Sequence, residues 1–215
     1  MSLATLASYD RVIDEICGLR WNELTAEELT DVAWAYYYFS IQFREHLKIA
    51  RAIYPFDQKL QQLEKEECNT DNLSPWPGVA SAHEQMDHDE FMRRLLTLSP
   101  IDKARRSRLA EIGEAYLVET RGVDRQTRAA SIASYEDGGL ERVFRAILTS
   151  PDWDGPLLGA FSHFLSEHIR FDSDPEQGHG ALSRHIMVDD RVSVVWTEFK
   201  HLLTRSVPKL ALPAA

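Results

Sequence analysis

One long segment constrains this chain more than any other. Over residues 31–52, Trp34, Tyr37, Tyr38 and Ile41 recur at three- and four-residue steps, and Tyr36, Phe39 and Phe43 widen that apolar face. A helix that is apolar on most of its sides has no face to give to water and belongs in the middle of a bundle. Just ahead of it, Thr25-Ala-Glu-Glu28 is a capping-box pattern. In such a box Thr25 accepts from a first-turn backbone N–H while Glu28 reaches back to the start. The longest apolar stretch, residues 32–41, is about half of what a bilayer span needs, so no membrane crossing is expected.

The rest of the chain reads as helix nearly throughout. Further helices are expected over residues 56–67, 79–98, 100–122, 124–148 (weakened at Gly138-Gly139), 156–171 and 188–205. The segment 68–78, rich in Pro, Gly, Asn and Ser, reads as a loop, and Ser173-Asp174-Pro175 as a break and restart. Residues 206–215 read as a short tail. With no internal repeat and no alternating strand pattern, the expectation is an all-α, compact bundle of roughly seven helices. At about 150 residues per domain, the 215 residues fit one domain over the whole of 1–215.

Charge and cysteine usage narrow the partners. Lys and Arg number 24 against 34 Asp and Glu, a net charge of −10. Such a balance argues against a nucleic-acid surface, whose affinity comes from Lys and Arg on phosphate, and against docking on anionic lipid. Two cysteines, Cys17 and Cys68, are too few for a disulfide scaffold. The first residues lack a basic stretch followed by an apolar one, so no signal peptide is expected and a reducing, cytoplasmic setting follows.

The residues that bear chemistry cluster. Five of the eight histidines fall between His163 and His201. His168 and Asp172 are four residues apart, hence on one helical face, a geometry that can present two ligands to one metal. Glu84 and His88 repeat that spacing on the predicted helix 79–98. Glu136 lies among small and apolar residues, where a carboxylate is costly unless paired or metal-bound. Three carboxylates and three histidines nearly balance two divalent ions, and a mixed N/O set without thiolate suits iron or manganese better than structural zinc. Each pattern also has a plainer reading, as a solvated helix face or a surface hydrogen bond.

Two stretches carry a family resemblance. Glu84-Gln-Met-Asp-His88-Asp-Glu-Phe and Phe164-Leu-Ser-Glu-His-Ile-Arg-Phe-Asp-Ser-Asp, followed by Gly-His179-Gly, resemble segments of the haem-oxygenase-like diiron oxidase and oxygenase superfamily. That superfamily shares its fold with TenA-like and PqqC-like proteins. The resemblance covers about half the chain and implies a haem-oxygenase-like bundle. It implies six metal ligands: Glu84, His88, Glu136, His168, Asp172 and His179. The gap from Asp172 to His179 is longer than usual in the family and holds Pro175, so Glu176 stands as the substitute for His179. The implied cofactor is two Fe(II), or manganese, with O₂ as co-substrate. The implied activity is oxidation of an amino-acid-, amine- or fatty-acid-type small molecule by N-oxygenation, desaturation or C–C cleavage, in specialised metabolism. An external electron donor and a homodimer are the implied partners.

Other readings stay open on the residues. A TenA-like hydrolase would need an activated cysteine, and Cys17 and Cys68 are expected far from the ligand segments. Haem would need an axial histidine near the N-terminus, and the first is His46. A non-catalytic helical interaction protein would bind no metal. Tyr36, Tyr37, Tyr38 and Trp34 are candidate pocket walls or core. Arg44, Arg121, Arg128 and Arg184 each offer a fork for a substrate carboxylate, and the sequence does not choose among them.

Overall fold

The capping box forms as the sequence predicts. The Glu28 N–H donates to Thr25 Oγ1 at 3.2 Å and the Thr25 N–H donates to Glu28 Oε2 at 2.8 Å. It opens α2, Ala26–Ile53. In the computed structural model, residues 8–172 and 178–211 are described, with the Asp172 side chain left outside that description. The described residues are all-α, with ten α-helices, three short 3-10 turns and no strand. Beside α2 these are α1 (Ser8–Cys17), α3 (Gln58–Glu67), α4 (His88–Leu95), α5 (Lys103–Gly122), α6 (Arg125–Glu136), α7 (Gly139–Ile147), α8 (Pro156–Asp172), α9 (His179–Ser183) and α10 (Ser193–Ser206).

α2 is the axis of the bundle, as its all-round apolarity requires. It packs against α3, α4, α5, α6, α8 and α10, while α1 closes the far side against α7 and α10. Tyr36 stands at its centre, with the rings of Phe39, Phe144, Phe161 and Phe164 between 5.3 and 5.9 Å away. Tilted and edge-on contacts of this kind add to the burial of the rings themselves. Near the start of α2, buried Asp31 accepts from Arg105 Nε at 2.7 Å and from Arg108 Nη2 at 2.8 Å, which pins α5 alongside.

The count of ten exceeds the expected seven for identifiable reasons. The expected helix over 124–148 is two helices, because Asp137 and Gly138 interrupt it, and Gly138 takes φ +89°, a conformation that favours glycine. Cys17 ends α1, an early helix of its own, and short α9 is an element the sequence pattern does not announce. The expected helix over 79–98 is cut to His88–Leu95. Residues ahead of it form an irregular loop closed by isolated bridges between Thr70 and Met86 and between Trp76 and Ala80. The expected break at Ser173-Asp174-Pro175, like Glu176, lies outside the described residues. No helix among the described residues is long and apolar enough to cross a membrane.

Between α2 and α6 lies a fully buried polar group, His46. The Tyr116 hydroxyl donates to Gln42 Oε1 at 2.7 Å, which turns the Gln42 amide nitrogen toward His46 Nδ1. Burial, reinforced by nearby Arg128, holds the His46 pKa well below its ordinary value. Unfolded, His46 takes up a proton near its ordinary pKa; folded, it does not, so falling pH favours the unfolded chain. Metal-free protein is therefore expected to lose up to about 1.4 kcal/mol per pH unit from His46 as pH falls below about 6.5. Urea unfolding at about pH 7 and about pH 5.5 measures this. The loss should shrink in His46→Gln; an unchanged pH dependence in that variant would refute the assignment.

Candidate metal centre

α3 is a short amphipathic helix whose inward stripe runs Leu60, Leu63, Glu67. Its last residue thus carries a carboxylate to a position that the pattern reserves for an apolar side chain, and Glu67 is 5% exposed. Four histidine and glutamate side chains from other helices meet it there. One ligand atom each of Glu67, His88 and His168 lie within 4.8 Å of one another, and so do those of Glu67, Glu136 and His179. Glu67 belongs to both groups, with Oε2 2.8 Å from His88 Nδ1 and Oε1 3.0 Å from His179 Nδ1. His179 Nδ1 is also 3.2 Å from Glu136 Oε2.

Each imidazole is oriented through its other nitrogen. His168 Nδ1–H donates to the Phe164 carbonyl at 2.7 Å, one turn back on α8. His88 Nε2–H donates to Asn72 Oδ1 at 3.1 Å. That amide is fixed by its own donation from Nδ2 to the Glu66 carbonyl at 2.8 Å, which leaves Oδ1 facing the ring. His179 Nε2 lies 3.2 Å from Glu66 Oε2. Ligating histidines are held in this way, with the outer N–H on a carbonyl or carboxylate and the inner nitrogen turned toward the metal. α9, which supplies His179, sits hard against the end of α6. A Cβ on Gly180 would come within 3.0 Å of the Glu136 carbonyl, so glycine is what permits the approach.

The electrostatics call for a cation. Burial, and then His88, push the His168 pKa down to about 3, so its Nε2 is a lone pair. It faces His88 Nδ1 at 3.1 Å, and that atom faces the Glu67 carboxylate. Burial alone would raise the Glu67 pKa, but His88 and His179 outweigh it and hold the carboxyl well below the usual range. Three acceptors around one point are the kind of arrangement that a bound cation would satisfy. The residues therefore fit a pair of metal ions sharing Glu67, with nitrogen and oxygen donors only.

The expected ligands divide as follows. His88, Glu136, His168 and His179 come together at this centre. Asp172 closes α8 one turn beyond His168, but its side chain lies outside the described residues. Glu84 is not at the centre. It lies in the loop before α4, where it accepts from the Ser81 N–H at 2.8 Å and from Arg94 at 2.6 Å. The four-residue spacing of Glu84 and His88 carries meaning only on a helix, and that helix begins at His88. The missed residue is Glu67, and its signal was a carboxylate on the apolar stripe of α3.

An apolar pocket opens beside the centre, walled by Tyr36, Phe43, Leu140 and Phe164, with Arg44, Cys68 and Asp89 also lining it. Of the four arginines named above, Arg44 alone lines it; Arg121 and Arg128 pair with Glu45, and Arg184 with Asp137. Cys68 is next to the centre rather than far from it. Its thiol is pushed up to about 12 by burial, with Asp87 and Glu67 adding, which is the reverse of an activated nucleophile. His46 lies among Gln42 and Ser131 in the core and is no axial ligand here.

Compared with family models, curated proteins and solved structures, the chain gives no match.

Two outcomes follow from the geometry. Glu67→Ala should abolish stoichiometric binding of divalent metal at both sites, and Glu66→Gln should weaken it about 10- to 100-fold, whereas Glu84→Ala should leave it unchanged. Metal analysis after dialysis decides between Glu67 and Glu84. Metal uptake should also release protons, with affinity falling about tenfold per pH unit for each proton displaced. Titration in weak buffer with a pH indicator reads this directly.

Proposed function

We propose that this chain is a non-haem dimetal oxygenase or oxidase that binds two Fe(II) and uses O₂ to oxidise a small organic molecule. The observation that carries the reading is the sharing of Glu67 between two three-residue donor groups. The resemblance of the Glu84–Phe91 and Phe164–His179 stretches to haem-oxygenase-like diiron oxidases supports it. So does the meeting of four of that family's six expected positions in an all-α bundle.

When bound, the two irons would supply the redox chemistry of O₂ reduction and substrate oxidation. The chain's own part is binding, orientation and exclusion of water. His88 and His168 would hold one ion and Glu136 and His179 the other, with Glu67 available to both. Phe164, Asn72 and Glu66 fix the three rings. Tyr36, Phe43, Leu140 and Phe164 keep the adjoining pocket apolar, which strengthens electrostatic contacts within it. An external donor would return electrons, and a cytoplasmic setting, in which Cys17 and Cys68 stay reduced, suits both ferrous iron and free thiols.

Anaerobic Fe(II) titration followed by O₂ tests the reading. Two irons per chain are expected, with O₂ uptake that tracks iron content and a loss of both in His168→Ala. Manganese binding with no O₂ uptake would keep the metal centre but remove the oxygenase activity. Absence of stoichiometric metal binding would overturn the proposal and leave a helical interaction protein as the better reading.

A further inference from the structure

A second cleft, formed where α2, the end of α4 and the start of α5 meet, shares no lining residue with the pocket beside the metal centre. Its volume of about 370 Å³ falls in the size range of small-molecule sites. Trp34 and Tyr37, one turn apart on α2 and both partly buried, form its aromatic wall, and Leu96 and Pro100 extend the apolar lining. Two arginines from different helices, Arg93 of α4 and Arg106 of α5, line it as well. They are differently committed. Arg93 gives Nε and Nη2 to Glu90 at 2.6 and 2.7 Å, which leaves its Nη1 edge over. Arg105 and Arg108 are taken up by Glu27 and Asp31, whereas exposed Arg106 makes no ion pair with any described residue.

The charge at this cleft runs against both its helix and its chain. The first turn of α5 holds Lys103, Arg105 and Arg106 and no acidic side chain, although the positive end of a helix dipole favours anions there. Glu27 and Asp31 offset Arg105, and nothing offsets Arg106. In a chain of net charge −10, a cleft whose charged walls are two arginines is a local reversal of sign. We propose that this cleft binds a planar aromatic anion, its ring against Trp34 and Tyr37 and its phosphate or carboxylate on Arg106 and the remaining edge of Arg93. The lining decides between ligand classes. A cation drawn to the two aromatic faces would meet two guanidinium groups. An uncharged apolar molecule would leave Arg106 without a counter-charge, and a small inorganic anion would gain nothing from the aromatic wall. A guanidinium fork matches carboxylate and phosphate alike, so the ligand is defined by a flat ring bearing one such group. No residue of the metal centre lines the cleft, and the proposal stands apart from the dimetal reading.

Binding to the full chain is the test, read by calorimetry and saturation-transfer NMR with probes in matched pairs. FMN is compared with riboflavin, AMP with adenosine, and 2-naphthoate with 2-naphthalenemethanol; inorganic phosphate and acetate are the anions without a ring. At least one aromatic anion should bind with a Kd below about 1 mM, and at least about tenfold more tightly than its uncharged partner and than either small anion. The pair that shows the preference tells phosphate from carboxylate. Its affinity should weaken as salt is raised, because Arg106 is exposed. Arg106→Gln should cost that probe about tenfold and leave the uncharged partner unchanged, with melting temperature reporting that the variant is folded. Trp34→Leu should weaken both members of the pair. Loading the protein with Zn(II) should leave the affinity as it was. Equal binding of charged and uncharged partners would overturn the proposal, as would an unchanged affinity in folded Arg106→Gln. Failure of all three aromatic anions to bind below about 1 mM would do the same. So would an affinity that Zn(II) changes more than about tenfold, which would put the probe at the metal centre instead.

Discussion

A carboxylate buried at the end of α3 is the constraint around which much of this protein is arranged. Glu67 has almost no contact with water, and an isolated charge so placed would be strongly destabilising. It stays charged because His88 and His179 approach its two oxygens from opposite sides. Those two rings come from α4 and α9, elements with little helix of their own to hold them. The consequence runs outward. Asn72 is fixed by the Glu66 carbonyl so that it can orient His88. Gly180 lets α9 close on α6, and α6 ends at Glu136 in the turn that Gly138 makes possible.

The same arrangement explains why the centre is asymmetric. His88 and His168 give their outer N–H groups to neutral oxygens, an amide and a peptide carbonyl. His179 instead faces the Glu66 carboxylate, and its group also includes Glu136. A carboxylate partner makes an imidazole a stronger donor. The two donor groups therefore differ in both charge and donor strength, one richer in neutral nitrogen, the other in anionic oxygen. The pocket bordered by Tyr36 and Phe164 touches both groups, through His88 and His168 of one and Glu136 of the other, with Glu67 between them.

The fold was largely legible because its signals are local. The apolar run through Trp34, Tyr36 and Phe39 and the Thr25–Glu28 box define α2 from the residues themselves. The residues of the buried histidine–glutamate cluster were legible only where their helices were. His168 was found in the middle of a helix that forms as expected, and Glu136 through its apolar neighbours. Glu84 was chosen because a four-residue spacing was read on a helix that does not extend that far; Arg94 and the Ser81 N–H take it instead. Glu67 was overlooked because its partners are distant in sequence. Yet it left a trace: with Leu60 and Leu63 it completes a stripe whose third member ought to be apolar. A charge on a core stripe is a stronger signal of chemistry than a motif spacing, because burial must be compensated by something.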